Sequence, residues 1–366
     1  MVVQLSVDLG FGFVKAVALY KEGTELVKKK VFFPSLVKRK LSTNGFGNML
    51  GTQDDYIVDI TNVITSEHTE PTKAVYYVGD SAVTNSGKRK WTDKGEFNRE
   101  DLTVLLSTAS ALLIPKDATE VHLHVGLPMN YFADENAEKL HNYISDIDSV
   151  VEIKGVKSDV KFGEIEIKPQ GIGGYFDIVF DWNGRVRNDE LSKASIGMIN
   201  IGYRTVEYLL ARSGRNGVQF LEDKSGSLEK AGMNSFLGTV QSKILTTYDI
   251  ELSKEMIERI IFFDECVADT KKGRIDITSL VEDAKSIYTS DVISMIKPAW
   301  GSDEETLKSI FLGGGSAKYL FDNYKESFPN LVLHGKETES EKREDAHIFS
   351  NAYGFLKMWL VGQHAK

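Results

Sequence analysis

Cysteine is all but missing: Cys266 is the single thiol in 366 residues. That excludes an internal disulfide and a cysteine-built zinc site, and it fits a reducing cytoplasm. Long apolar runs are missing too. None approaches the roughly 20 residues that span a bilayer, so no membrane segment is expected. The opening Met1-Val2-Val3-Gln4-Leu5 has no basic n-region and no small-residue cleavage site, so no signal peptide is expected either. Positive charge is in short supply, with 44 Lys and Arg against 53 Asp and Glu and a formal net charge of -9. Direct binding to nucleic acid, which needs concentrated basic residues, is therefore not expected. One local exception stands out. Lys28-Lys29-Lys30 and Lys38-Arg39-Lys40 flank Phe32-Phe33-Pro34, and read as solvated strand ends or as a contact surface for a partner or neighbouring subunit. What is present, 42% hydrophobic and 27% charged residues, is ordinary for a globular chain. Its length suggests about two or three domains.

Hydrophobic periodicity gives a coarse α/β order. Residues 2–8, 13–20 and 25–33 read as three successive strands. Residues 40–95 are polar and irregular apart from a strand-like patch at 74–78, as an inserted subdomain would be. A helix is expected over 99–113, with Leu102, Leu105, Leu106, Ala109, Leu112 and Leu113 on one side and Asn98 as its cap. Val121-His122-Leu123-His124-Val125 alternates as a strand. Its two histidines share a face, but no third metal ligand lies nearby in sequence. A helix over 131–146 and a hairpin over 149–168 follow, then Pro169-Gln170-Gly171 and a helical stretch through Phe180, a candidate crossing point between two lobes. The second lobe begins near Ser195 and repeats the opening pattern. Helices are expected at 228–247, 252–263, 278–297 and 346–361, and strands at 308–312 and 331–333.

Three glycine turns carry the most information. Asp8-Leu9-Gly10-Phe11-Gly12-Phe13-Val14-Lys15 and Asn200-Ile201-Gly202-Tyr203-Arg204-Thr205 each leave an apolar strand and re-enter another. Gly313-Gly314-Gly315-Ser316 leaves a strand and enters a helix. Glycine lets backbone N–H groups come close to phosphate oxygens. Asp8 is placed to hold Mg²⁺ through its waters, and Lys15 to neutralise phosphate charge. Asn200, Gly202 and Thr205 are placed to meet the same phosphates from the other side. The bare backbone at 313–315 suits a base or sugar. Gln170 cannot be a strong base, but it can orient an attacking water. Each turn alone also reads as an ordinary tight hairpin or loop, and Gln170 as a polar helix start. Neither a Walker A pattern nor a dinucleotide Gly-x-Gly-x-x-Gly is present.

Taken in order, these residues resemble the actin-like ATPase superfamily, and within it the plasmid-segregation actins (the ParM or StbA group) and archaeal actin-like proteins. Residues 7–15 resemble the phosphate-1 motif, Asn200–Glu207 phosphate-2, and Leu312–Ser316 the adenosine motif. Pro169-Gln170-Gly171 and Asn351-Ala352-Tyr353-Gly354 are similar to the two interdomain connections. Phe33-Pro34-Ser35 and Gly126-Leu127-Pro128 resemble two further short motifs of the group.

The resemblance implies an α/β, ribonuclease H-like duplicated fold with two lobes and a nucleotide cleft. Domain I would take residues 1–172 and 346–366, with a variable subdomain at about 34–98, and domain II residues 173–345. It implies ATP or GTP and Mg²⁺ as ligands, with Asp8 on the metal and Gln170 on the water. Gly10, Phe11, Gly12, Lys15, Asn200, Gly202, Tyr203, Arg204, Thr205, Gly313, Gly314, Gly315 and Ser316 would hold the nucleotide. It implies a cytoplasmic filament that segregates plasmid DNA through an adaptor protein. A small-molecule kinase and a non-enzymatic scaffold of the same fold are the alternatives; a chaperone is disfavoured because no peptide-binding domain follows the last helix. Two positions depart from the family pattern. Asn200 replaces the usual Asp, and Glu207 replaces a common Asp, so the metal side of the second turn is altered.

Overall fold

Val2–Leu9 (β1) alternates Val3, Leu5, Val7 and Leu9 with Gln4, Ser6 and Asp8, yet the chain buries it on both faces: seven of its eight residues are buried. A strand of this kind needs cover on two sides. In the computed structural model, which describes residues 1–40, 56–63, 72–85, 87, 99–132, 134–214, 217–262, 265–336 and 343–364, the chain forms two compact units. Unit 1 is Met1–Arg185 with Asn351–Lys366, and unit 2 is Val186–Ser350.

In unit 1, β1 pairs antiparallel with β2 (Phe13–Glu22), and β2 with β3 (Glu25–Pro34). A second sheet is made by β4 (Val37–Arg39), β5 (Tyr56–Val63), β6 (Thr72–Val78), β8 and β9. Between these sheets in sequence lie the short α1 (Asp80–Thr84), α2 (Arg99–Leu113) and β7 (Glu120–Leu127). The apolar stripe of α2 holds Leu102, Leu105, Leu106, Ala109 and Leu113 in the core, as its spacing predicts; the expected cap Asn98 lies outside the described residues. Then come α3 (Asp134–Ser145), β8 (Asp148–Ile153), β9 (Val156–Lys161) and β10 (Ile165–Pro169). The first sheet runs in the order β10-β7-β1-β2-β3, with β7 parallel to both β1 and β10. This corrects the single hairpin expected over 149–168. The hairpin is β8–β9 alone, and β10 joins the other sheet. The switch occurs at Gly163, whose N–H donates to Val121 O; a Cβ there would lie 2.8 Å from the Glu120 carboxylate. The irregular stretch over 40–95 likewise contains the paired strands β5 and β6 within its described part.

After β10 come α4 (Ile172–Val179) and, far along the chain, α10 (Ala346–His364). These helices meet backbone to backbone: a Cβ on Gly354 would collide with Gly173 O. At the same contact Lys357 Nζ pairs with Asp177 Oδ1 at 2.7 Å, and both side chains are fully buried. Lys357 also lies 5.0 Å from the Trp182 ring centroid.

Unit 2 opens with α5 (Asp189–Ser192) and repeats the strand logic. β11 (Ile196–Ile201) pairs antiparallel with β12 (Val206–Gly214), which takes β13 (Gly217–Phe220) and β14 (Gly226–Leu228) on its outer side. Residue 228 is therefore strand, and the helix expected from there starts at α6 (Met233–Tyr248). Next come α7 (Lys254–Phe262), the small hairpin β15–β16 (Val267–Thr270, Gly273–Asp276), α8 (Thr278–Trp300), β17 (Ser309–Gly313), α9 (Ala317–Ser327) and β18 (Leu331–Leu333). β17 runs parallel to β11, and β18 parallel to β17. Phe236, Trp300, Tyr324 and Phe328 fill the core beneath the sheet. Among the described residues no helix is long and apolar enough to cross a membrane.

Removing one partner of a fully buried ion pair strands the other charge away from water. Lys357→Met is expected to lower stability by about 3–5 kcal/mol, measured by urea or thermal denaturation. The double replacement Lys357→Met/Asp177→Leu is expected to recover most of that loss.

Candidate functional site

The two long hairpins close on the same register. Leu9 pairs with Val14 and Ile201 with Val206, so four residues form each turn: 10–13 in one and 202–205 in the other. One step back along each ladder, Asp8 faces Lys15 and Asn200 faces Glu207. The polar residues therefore sit at equivalent points, where a buried strand runs out into a turn. This is the only part of such a strand where a polar group can be reached without crossing the core.

In unit 1, Asp8 is 5% exposed, and its Oδ2 lies 3.2 Å from Lys15 Nζ. Its Oδ1 accepts from Gln170 Nε2 at 3.0 Å. Gln170 arrives from the end of β10 and is itself buried. Its amide has room because Gly126 is bare: a Cβ there would lie 2.8 Å from Gln170 Cγ and 2.7 Å from the Phe355 ring. The next N–H, of Gly171, donates to Asn351 Oδ1 at 3.0 Å. Ser35 braces the turn from outside, its hydroxyl donating to Gly10 O at 2.6 Å and its N–H to Gly12 O at 2.9 Å. A Cβ on Gly10 would collide with Lys15 Nζ and Phe13 O, both at 2.9 Å. Asp8, Lys15 and Gln170, read separately in the sequence, form one hydrogen-bonded group. The bracing Ser35 and Asn351 appeared in the sequence only as members of short motifs.

In unit 2, Glu207 accepts from Thr205 Oγ1 at 2.6 Å and from Asn200 Nδ2 at 3.1 Å. Gly202 N–H donates to Thr205 O at 2.9 Å within the turn. The start of α6 packs directly under it: Gly232, Met233 and Asn234 donate their N–H groups to the carbonyls of Arg204, Gly202 and Tyr203. A Cβ on Gly232 would lie 2.6 Å from Gly202 O. The third turn is locked to the second. Gly314 takes φ +98°, and a Cβ there would collide with Ile201 O; its N–H donates to His347 O at 2.7 Å. Gly315, by contrast, faces open space, and Ser316 stands at the start of α9 without a side-chain cap bond. Gly314 is thus required by packing, and the bare face at Gly315 is left for something else.

The residues fit a triphosphate and a hydrated divalent ion. In unit 1, Gly10 and Gly12 carry no side chain and Lys15 supplies positive charge; in unit 2, Asn200 Oδ1 is a buried acceptor with no hydrogen-bond partner. Among the described residues no three His, Cys, Asp or Glu side chains converge as metal ligands. The donor set therefore suits an ion held through its water shell. Both ring nitrogens of His124 and the Nδ1 of His122 have partners outside any such cluster. His124 contacts Glu166 and Gln4, each at 3.0 Å, and His122 contacts Gln4 and Glu120, each at 3.1 Å.

His347, which holds Gly314, has its imidazole pKa pushed down to about 4, chiefly by burial and then by the nearby His334. An unfolded chain takes up the proton below the ordinary value near 6.5, while the folded chain resists it. The melting temperature is therefore expected to fall as pH drops from 6.5 toward 4, and His347→Gln to flatten that slope in a scanning-calorimetry pH series.

Residues 6–173 match the family model for the actin-like proteins N-terminal domain, and residues 198–326 that for the archaeal actin homologue MreB-like C-terminal domain. No curated protein matches the chain. Among solved structures, the ParM of a 15-stranded filament from Clostridium botulinum superposes with a TM-score of 0.78 at 24% identity, covering 97% of this chain and 98% of that one. A native archaeal actin homologue gives 0.72 at 14% identity, with 98% and 99% covered. Bacillus thuringiensis ParM with ADP gives 0.67 at 15% identity, with 99% of each covered. At such identities the likeness speaks for the fold, which is the actin-like one. The two family models take in all three glycine turns and Gln170, and the chain belongs to the actin-like proteins.

Proposed function

We propose that this protein is a nucleotide-hydrolysing, filament-forming member of its family, which moves plasmid DNA through an adaptor protein. The observation that carries the reading is the Asp8–Lys15–Gln170 group beside Gly10. A carboxylate, an ammonium and an amide meet at the end of a buried strand, and Gly10 and Gly12 in the adjoining turn carry no side chain. Lys15 now neutralises Asp8. An incoming phosphate would compete for that ammonium and free the carboxylate to accept hydrogen bonds from the waters of a divalent ion, which would supply charge neutralisation at the phosphates. Gln170, held by Asp8, would orient the attacking water; an amide cannot take the proton of a sugar hydroxyl, which favours hydrolysis over transfer to a small-molecule acceptor.

In unit 2, the second hairpin would take nucleotide phosphates through Gly202 and Thr205, and the Gly313–Ser316 turn a base or sugar. Self-assembly is supported by the C. botulinum ParM relative, which was solved as a filament. Nucleotide binding is supported by the ADP-bound relative from B. thuringiensis. The acidic net charge of -9 favours an adaptor between polymer and DNA.

Sedimentation and electron microscopy with Mg-ATP or Mg-GTP test the reading. Filaments are expected at tens of micromolar, an order-of-magnitude choice above weak-interface affinities; a chain that stays in the supernatant with either nucleotide is not a filament former. Asp8→Ala is expected to abolish hydrolysis. Gln170→Ala is expected to slow it by about 100-fold, the cost of a misplaced reactant, while nucleotide affinity changes only slightly. Phosphate release and equilibrium titration separate the two effects.

A further inference from the structure

Glu207 was read in the sequence only as a departure from a motif. In the structure it lies opposite Asn200 across the β11/β12 ladder and is 2% exposed. Its carboxylate accepts from Asn200 Nδ2 and from Thr205 Oγ1. Both Glu207 oxygens are taken up as acceptors in this arrangement. Asn200 must therefore turn its amino group toward Glu207, and its Oδ1 must face away. That Oδ1 is buried, has no hydrogen-bond partner, and lies 3.4 Å from where a Cβ on Gly313 would stand. Gly313 is the neighbour of Asn200 on the opposite ladder, so no side chain of that residue stands against the acceptor.

The orientation matters because an asparagine has two faces. One way round it presents donors, the other way an acceptor. A water bound to a divalent ion has committed its lone pair to the metal and offers protons only. Only the acceptor face can serve it. An aspartate at this position would accept in any orientation, and an asparagine has to be aimed.

We propose that Glu207 is a positioning residue. It aims the Asn200 amide so that Oδ1 accepts from ion-bound water, and it supplies the negative charge that position 200 lacks. This rests on the nucleotide-binding reading above. A corollary is that the 200/207 pair carries a single carboxylate. An aspartate at position 200 would set a second carboxylate against the buried first one, where the two cannot both ionise without cost. Restoring the acid that the family usually carries would therefore harm this chain. Moving the charge across the ladder would be tolerated: a glutamine at position 207 can donate through its Nε2 to the introduced carboxylate, while its Oε1 still accepts from Thr205.

Four proteins test this: wild type, Glu207→Gln, Asn200→Asp and the double variant. Each is titrated with a fluorescent ATP analogue in Mg²⁺ and in EDTA, and melted without nucleotide. Glu207→Gln is expected to bind about tenfold more weakly in Mg²⁺, the worth of one hydrogen bond involving a charged group, and to match wild type within about twofold in EDTA. Asn200→Asp is expected to lose a similar factor in Mg²⁺ and to melt lower. The double variant should regain both properties. An equal loss by Glu207→Gln in Mg²⁺ and EDTA would show a merely structural role and overturn the proposal. So would Asn200→Asp binding as well as wild type, or additive effects in the double variant. If wild type binds no nucleotide at all, the proposed function fails, and the melting cycle alone decides the pairing: non-additive shifts support it and additive shifts overturn it.

Discussion

The constraint behind this molecule is that its central strands are buried on both faces. β1 and β11 are covered nearly throughout, so a polar side chain on either costs least where it is satisfied from within or where the strand ends. Both strands solve the problem with a four-residue glycine turn and a polar pair one step behind it. The pairs are not copies. In unit 1 an acid faces a base; in unit 2 an amide faces an acid. The same backbone device thus carries an ion pair in one unit and an amide–acid hydrogen bond in the other. The duplication is preserved in the register while the chemistry has diverged.

Close approach does the rest of the positioning. Gly126, Gly173, Gly202, Gly232, Gly314 and Gly354 each sit where an added Cβ would strike a neighbouring backbone atom or packed side chain. At all of these but Gly126 the contact is with main chain, which fixes the position more tightly than side-chain packing alone would. The α4/α10 contact is the clearest case, since it brings a fully buried Lys357–Asp177 pair together with two glycines. A buried pair of this kind adds little net stability over an apolar substitute, but it tolerates no half-replacement.

Much of this was legible in the sequence, for physical reasons. Strand-glycine-strand patterns announce hairpins, because the glycine is needed for the turn and the apolar runs for the core. The stripe on α2 announces a covered helix. What could not be read was partnership over distance. Nothing local says that Gln170 donates to Asp8, 162 residues away in sequence, or that Asn351 accepts from the N–H of Gly171. The alternation over 160–167 gave the wrong sheet for β10, because a period of two reports a strand and not its neighbour. Glu207 was legible only as a departure from a motif, without its partner. A carboxylate two residues beyond a threonine reads as a generic strand residue until the register sets it opposite Asn200.

The edge strand β3 sets a rule for how copies of this chain can meet. Lys28, Lys29 and Lys30 are all exposed along it, and two of them lie over aromatic rings, Lys28 at 4.6 Å from the Trp182 centroid and Lys29 at 5.6 Å from that of Tyr20. A second β3 laid antiparallel beside the first would bring one lysine triplet against the other. Like charges directly opposite on paired strands repel, and lysine on an edge is a known guard against such pairing. The largest exposed backbone ladder of the first sheet is thereby closed to its own twin. A polymer of this chain therefore does not grow by β3-to-β3 pairing, and this edge of the first sheet ends where the subunit ends.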